Sequence, residues 1–259
     1  MSALRGIGVL VTRPEQQAMP LCRLLEIQGA STLRLPAIEI RALGNWRDTA
    51  ARLGALDDFD VIIFTSANAV RFGASLLDQK RDLTLGVVGP ATARALSQAG
   101  YRVAVQPAGN FDSESLLLHP GLEHPAGRRI LLIKGSHGRP FLERELLSRG
   151  AEVVAAEVYE RVPTTPSNAV LAALQDSFAA AAVQVITATS VEIAENLLKI
   201  AAPALRRQFD HALWLVPGAR VAAALRELGL SAPQLMADSA EDQDLVAALI
   251  RWRANVSGA

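Results

Sequence analysis

The chain has 259 residues, half of them apolar, and its 26 Lys and Arg are balanced by 26 Asp and Glu. That balance argues against nucleic acid or an anionic membrane surface as the main partner. The single cysteine, Cys22, excludes an internal disulfide framework and fits a reducing compartment. No apolar run approaches the roughly 20 residues of a membrane span. The first residues lead into a strand too short for a secretory segment, so the expected location is the cytoplasm.

Residues 7–12 read as a strand. Arg13-Pro14-Glu15 then starts a helix with proline near its first turn, running to about Gln28 with Gly29 as C′ residue. Cys22 falls on its apolar pattern and reads as a buried, inert thiol. A strand follows at Ser31–Leu35, Pro36 punctuates it, and Ala37–Ile40 continues extended. A helix over Trp46–Leu56 precedes the segment that organises the chain, Asp60–Val70. There the apolar Val61–Phe64 ends in Thr65-Ser66-Ala67-Asn68, and a 3.6-residue period begins. That pattern predicts a buried parallel strand running into a helix start capped by Ser66 or Asn68. Free N–H groups and the helix dipole favour anions at such a start, although one such stretch is also simply a capped crossover.

Beyond the helix after Ser66, the pattern gives a strand at Leu85–Val88, a helix at Pro90–Ala99, a strand at Arg102–Val105 and a helix from Ser113 to about His119. His119–Gly127 is the most loop-like stretch. Next come a strand (Ile130–Lys134), a helix (Pro140–Arg149) and a strand (Glu152–Val158) that Tyr159–Pro163 extends. Helices cover Ser167–Ala179, Val191–Ile200 and Ala204–Gln208, with strands at Val183–Thr187 and Ala212–Val216. A helix at Arg220–Leu228, a short strand near Gln234–Met236 and a helix at Glu241–Trp252 close the chain. Strict alternation predicts an α/β protein whose parallel sheets are covered on both faces, with the ligand crevice at the carboxyl ends of the strands.

The motifs occur twice. Val185–Ala194 repeats the strand, Thr-Ser and helix start of Asp60–Val70, and Val88-Gly89-Pro90 through Gly100 is echoed by Pro217-Gly218 through Gly229. Asp112–Leu116 is echoed by Glu241–Leu245, and Val9–Pro14 by Ile130–Gly135. The order is a-b-c-a′-b′-c′, and a plain duplication would divide the chain near Gly121. Gly6-Ile7-Gly8 precedes its strand instead of following it, so it is no dinucleotide fingerprint. Gly135-Ser136-His137-Gly138 lacks the end of a P-loop, the four histidines lack metal-site spacing, and no G-x-S-x-G elbow is present. Activity is therefore expected without metal or nucleotide.

The ordered set Val11-Thr12-Arg13-Pro14, Leu35-Pro36, Phe64-Thr65-Ser66, Val88-Gly89 with Thr92-Ala93, Lys134-Gly135 with Arg139, Val158-Tyr159 with Pro163, Thr189-Ser190 and Pro217-Gly218 resembles the uroporphyrinogen-III synthases. The resemblance covers nearly the whole chain. It implies two doubly wound parallel-sheet domains, internally duplicated and with a cleft between them: residues 1–35 plus 166–259, and 41–157, joined by linker strands at 36–40 and 158–165. It implies cyclisation of the linear tetrapyrrole hydroxymethylbilane with inversion of its last ring, in a monomer without cofactor. At most, it would have transient contact with the preceding enzyme of its pathway. Holding an eight-carboxylate chain in the productive fold is then the main task, with a general acid for the departing hydroxyl.

The family's linker tyrosine matches Tyr159, the catalytic candidate; as bland a reading makes it a packing residue of the hinge. Thr65, Ser66, Gly89, Thr92, Gly135 and Ser190 are substrate-lip candidates, and Arg13, Lys134 and Arg139 are candidate carboxylate partners. Two departures stand out. Gly218-Ala219-Arg220-Val221 replaces a Gly-Pro-Thr-Thr of many relatives, so Arg220 offers a charge where a hydroxyl is lost, and Ala67-Asn68 replaces a Pro-Arg. The competing readings are a non-enzymatic two-lobed sensor of the same fold and another α/β enzyme acting on a phosphorylated ligand.

Overall fold

Ten strands build two five-stranded sheets in a computed structural model that describes residues 2–44, 53, 55–77 and 82–257. The strands are β1 (Gly8–Val11), β2 (Ser31–Arg34), β3 (Ile38–Ala42), β4 (Val61–Phe64), β5 (Leu85–Val87), β6 (Arg129–Gly135), β7 (Glu152–Pro163), β8 (Val185–Thr187), β9 (Leu213–Pro217) and β10 (Gln234–Ala237). One sheet has the order β10-β9-β8-β1-β2 and all its pairs are parallel. The other has the order β3-β7-β6-β4-β5, and β7, β6, β4 and β5 pair in parallel. Contacts divide the chain into two units, Met1–Glu39 with Val162–Ala259, and Ile40–Arg161.

Alternation along the central strands decides what each face packs against. In β1, Val9 and Val11 face the helices Glu15–Ile27 and Asp242–Ser257, while Leu10 joins the helices on the opposite side. Helix Glu15–Ile27 buries Ala18, Leu21, Cys22 and Leu25, the i, i+3, i+4, i+7 spacing of one apolar stripe. Burial pushes the Cys22 thiol up from its ordinary range, as an inert core thiol requires. In β4, Ile62 and Phe64 pack with helices Ala67–Gly73 and Pro90–Gln98, and Val61 and Ile63 with helices Ser113–Leu116, Pro120–Glu123 and Phe141–Ser148.

Among the described residues, four helices end on a left-handed glycine: Gly29, Gly100, Gly150 and Gly229 have φ of 88°, 87°, 83° and 77°. At each, the N–H that follows the glycine reaches back into the last turn of the helix, as Ala30 to Leu25, Tyr101 to Leu96, Ala151 to Leu146 and Leu230 to Leu225. This closing turn needs positive φ at its C′ position, which glycine adopts without a Cβ clash.

Two local expectations change. Arg102–Val105 is not a strand; only Val105 forms a bridge, to Gly86, and Pro107 two residues on has no N–H to continue a ladder. His119–Gly127 contains the short helix Pro120–Glu123, with His119 Nδ1 accepting from the Gly121 N–H at 3.0 Å. Tyr159–Pro163 extends the Glu152–Val158 strand, as expected. The expected helix Trp46–Leu56 lies largely outside the described residues; its last residue belongs to a 3-10 turn, Leu56–Asp58. No helix among the described residues is long and apolar enough to cross a membrane.

Candidate functional site

Because β5, β4, β6 and β7 run parallel, the carboxyl ends of β5, β4 and β6 place Gly89, Thr65 and Ser66, and Gly135 along one edge of the second unit, and Tyr159, within β7, lies level with them beside Gly135. Tyr159 reaches that edge through an irregularity. The register of β6 on β7 shifts between Lys134 and Gly135, so Gly135 pairs with Tyr159, and the Ser136 N–H donates to the Tyr159 carbonyl at 3.0 Å. Such a shift re-aims a side chain.

The Tyr159 ring is held on two faces. A Cβ on Gly135 would lie 2.6 Å from Tyr159 Cζ, so the ring rests where any other residue would place its side chain. On the Phe72 side, ring centroids stack at 5.9 Å with planes 24° apart, and the Arg71 guanidinium sits 4.6 Å from the Phe72 centroid. The phenol oxygen lies 3.1 Å from Ser66 Oγ. That hydroxyl also accepts from the Ala69 N–H at 3.1 Å and so caps helix Ala67–Gly73. Ser66, and not Asn68, is the cap. Tyr159 is therefore buried, 5% exposed, with its one polar atom tied to a helix start.

The neighbouring candidates differ in how free they are. Thr65 spends its hydroxyl on the Ile133 carbonyl at 3.4 Å. Gly89 is the N-cap of helix Pro90–Gln98, where the N–H groups of Thr92 and Ala93 both point back to its carbonyl. Thr92 is buried in the first turn. Lys134 is buried, its Nζ 3.1 Å from Glu143. Arg139 is exposed; it stands 3.4 Å from Glu114, a loose surface pairing of small energy.

In the first unit, the ends of β1, β8 and β9 carry Arg13, Ser190 and Arg220. Ser190 accepts from the Ile193 N–H at 3.2 Å, as Ser66 does in its own unit. Arg13 is buried, and the carboxylate it meets is the protein's own: it donates to Asp242, to the Ala240 carbonyl and, through Nε, to Thr189 Oγ1 at 3.3 Å. Arg220 is exposed in the first turn of helix Ala219–Glu227 and has no ion pair among the described residues. Phe72 was not singled out from the sequence; an aromatic six residues after the Ser66 cap is the only signal that could have found it. Among the described residues, no group of three or more His, Cys, Asp or Glu is placed to hold a metal ion.

What this edge offers is a buried phenol beside a capped helix start, hydroxyls, and cations of differing freedom. The pattern suits an acid acting on a polyanionic ligand.

The chain matches the family profile described as uroporphyrinogen-III synthase HemD over residues 20–247. It is 30% identical over 249 residues to the uroporphyrinogen-III synthase of Escherichia coli (strain K12), covering 94% of this chain and all of that protein. It is 31% identical to that of Synechococcus elongatus, with 77% and 76% covered. Its fold is similar to a crystal structure of a mutant uroporphyrinogen III synthase from the extremely thermophilic bacterium Thermus thermophilus, with TM-score 0.60 at 22% identity, covering 98% of this chain and 100% of that one. It is likewise similar to that of uroporphyrinogen-III synthetase from Helicobacter pylori 26695, with TM-score 0.62 at 16% identity, covering 95% and 99%.

Proposed function

The chain belongs to the uroporphyrinogen-III synthase family, and we propose that its reaction, the closure of hydroxymethylbilane to uroporphyrinogen III, uses Tyr159 as the general acid. It is a cyclising lyase. The electron-rich terminal pyrrole expels the hydroxyl as water once the phenol donates its proton, which leaves an azafulvenium-like cation. The last ring attacks through its substituted carbon to give a spiro intermediate; this fragments and recloses with that ring inverted. The proton balance closes when the ring carbon joined last loses its hydrogen. The observation that carries this reading is the phenol fixed at 3.1 Å from Ser66 Oγ at the head of a helix.

The substrate's carboxylates are bound, in this reading, by the strand-end groups: Thr65, Ser66, Gly89, Thr92, Lys134, Gly135 and Arg139 in one unit, and Ser190 and Arg220 in the other. Arg220 is the strongest of the cations for this role, because it is exposed and meets no carboxylate among the described residues. Arg13 is left out of this set, because Asp242 and the Ala240 carbonyl already occupy it.

We also take the chain as a duplication of one doubly wound plan with linkers at 36–40 and 158–165. Three observations support it. The two Thr-Ser strands, β4 and β8, each lie between a Gly-motif strand (β5, β9) and a strand ending in a cation (β6, β1). Ser66 and Ser190 cap identically, and the four glycine turns fall at matched positions.

Freshly made hydroxymethylbilane, incubated with the purified protein and a chelator, should yield the type III isomer on chromatography of the oxidised products. Type I isomer alone, at the buffer rate, would refute the assignment. Gly135→Ala tests the placement of the phenol. Its methyl group would need space 2.6 Å from Cζ, so the ring must tilt, and turnover should fall at least about tenfold, since small misplacements of a reacting group are costly. Wild-type turnover in a folded Gly135→Ala protein would mean that the ring position does not matter.

A further inference from the structure

We propose that Phe111 is a substrate-binding residue whose ring packs on a pyrrole face of the linear tetrapyrrole at the Gly89 end of β5. The inference rests on the synthase reading above and adds an apolar contact that the polar strand ends lack. Hydroxyls, helix-start N–H groups and cations answer the substrate's carboxylates. None of them covers a flat, electron-rich ring.

Phe111 is 53% exposed, and among the described residues it is the one aromatic left exposed in a set otherwise made of Met, Ile, Leu and Val. Its exposure does not come from a loose segment. The next residue, Asp112, accepts from the Ser115 N–H at 2.7 Å and caps helix Ser113–Leu116, whose Leu116 is fully buried. That N–H holds the Asp112 carboxyl below its ordinary range. Phe111 thus leaves an anchored helix start and presents an apolar ring to water. An aromatic ring is a large apolar surface with a preferred stacking geometry, so covering it with a flat ligand ring is favourable.

Its place is at the candidate site. Phe111 Cβ lies 3.7 Å from the point where a side chain on Gly89 would begin, an ordinary contact distance. Gly89 has φ −148° and ψ 167°, extended backbone that any residue adopts. The turn therefore does not require glycine. What glycine leaves at this position is open space beside the Phe111 Cβ, room in which a planar group can lie. In the first turn of the same helix, Glu114 meets Arg139 at 3.4 Å. Arg139 is a surface cation that a substrate carboxylate can draw from a weak pairing. An aromatic face and an arginine paired with the helix that follows it suit a pyrrole bearing acidic side chains.

The test uses Phe111→Ala, Phe111→Leu and Phe111→Trp in the full chain, assayed beside wild type with hydroxymethylbilane. Phe111→Ala should raise KM about tenfold, with kcat within about twofold and an unchanged melting temperature, the pattern of lost uniform binding. Phe111→Trp should restore KM, and its fluorescence should be quenched by uroporphyrinogen III. Phe111→Leu should recover only part. A wild-type KM in the folded alanine variant would overturn the proposal, and so would a leucine variant as good as tryptophan. Wild type failing to make the type III isomer in the same assay would instead refute the functional reading, so the two failures are distinguishable.

Discussion

Tyr159→Phe is expected to lower kcat by a factor on the order of 10²–10³ while leaving the protein folded. The loss is near the range usual for general-acid help. It is not larger because the pyrrole itself supplies much of the driving force and water can partly serve as donor. The ring's packing survives the change, since Phe72 at 5.9 Å and Gly135 hold the carbon skeleton and not the oxygen. Among the described residues, the only hydrogen bond the side chain loses is that to Ser66, which costs about 1 kcal/mol. Ser66 keeps its bond from the Ala69 N–H, so the helix stays capped. Thermal melts should therefore lie close to wild type. A large drop in melting temperature with turnover per folded molecule intact would make Tyr159 a packing residue. Unchanged turnover would remove it from the mechanism.

Arg13→Ala should have the opposite signature, a loss of stability with little change in turnover per folded molecule. The guanidinium side chain is 9% exposed and joins the end of β1 to Asp242 and Ala240. Removing it leaves the Asp242 carboxylate, 24% exposed, and the Ala240 carbonyl without this partner. Breaking a buried pair costs about 3–5 kcal/mol. Partial exposure of Asp242 reduces that to roughly 2–4 kcal/mol, or a fall of roughly 5–15 °C in melting temperature for a protein of this size. Calorimetry with parallel kinetics decides. Wild-type stability together with a raised KM would show that Arg13 serves the substrate and that its contact with Asp242 contributes little.

The strand-end chemistry was legible wherever it is local. Val61–Phe64 followed by Thr-Ser announces a buried strand and a capped helix within ten residues, and the repeat at Val185–Ser190 announces it again. Gly29, Gly100, Gly150 and Gly229 mark helix ends through a requirement that one residue meets by itself. The failures are those of range. Asp242, which occupies Arg13, lies 229 residues away, and nothing near Arg13 announces it. The stacking of Phe72 on Tyr159 and the clearance over Gly135 depend on a register shift between two strands, which period and composition do not reveal. Arg102–Val105 has strand-like residues but pairs only at Val105, because strand formation depends on what lies alongside.

The central claim, that Tyr159 delivers its proton from a position set by Ser66, is tested most directly by a double-mutant cycle on type III isomer formation. Ser66→Ala removes both the cap and the oxygen beside the phenol, and should by itself lower kcat about tenfold while costing about 1 kcal/mol of stability. If the two hydroxyls act as a unit, their losses do not add. With all variants assayed where each is fully folded, Ser66→Ala/Tyr159→Phe should turn over within about threefold of Tyr159→Phe alone. Losses that simply multiply would mean that Ser66 and Tyr159 act independently, and would contradict the account.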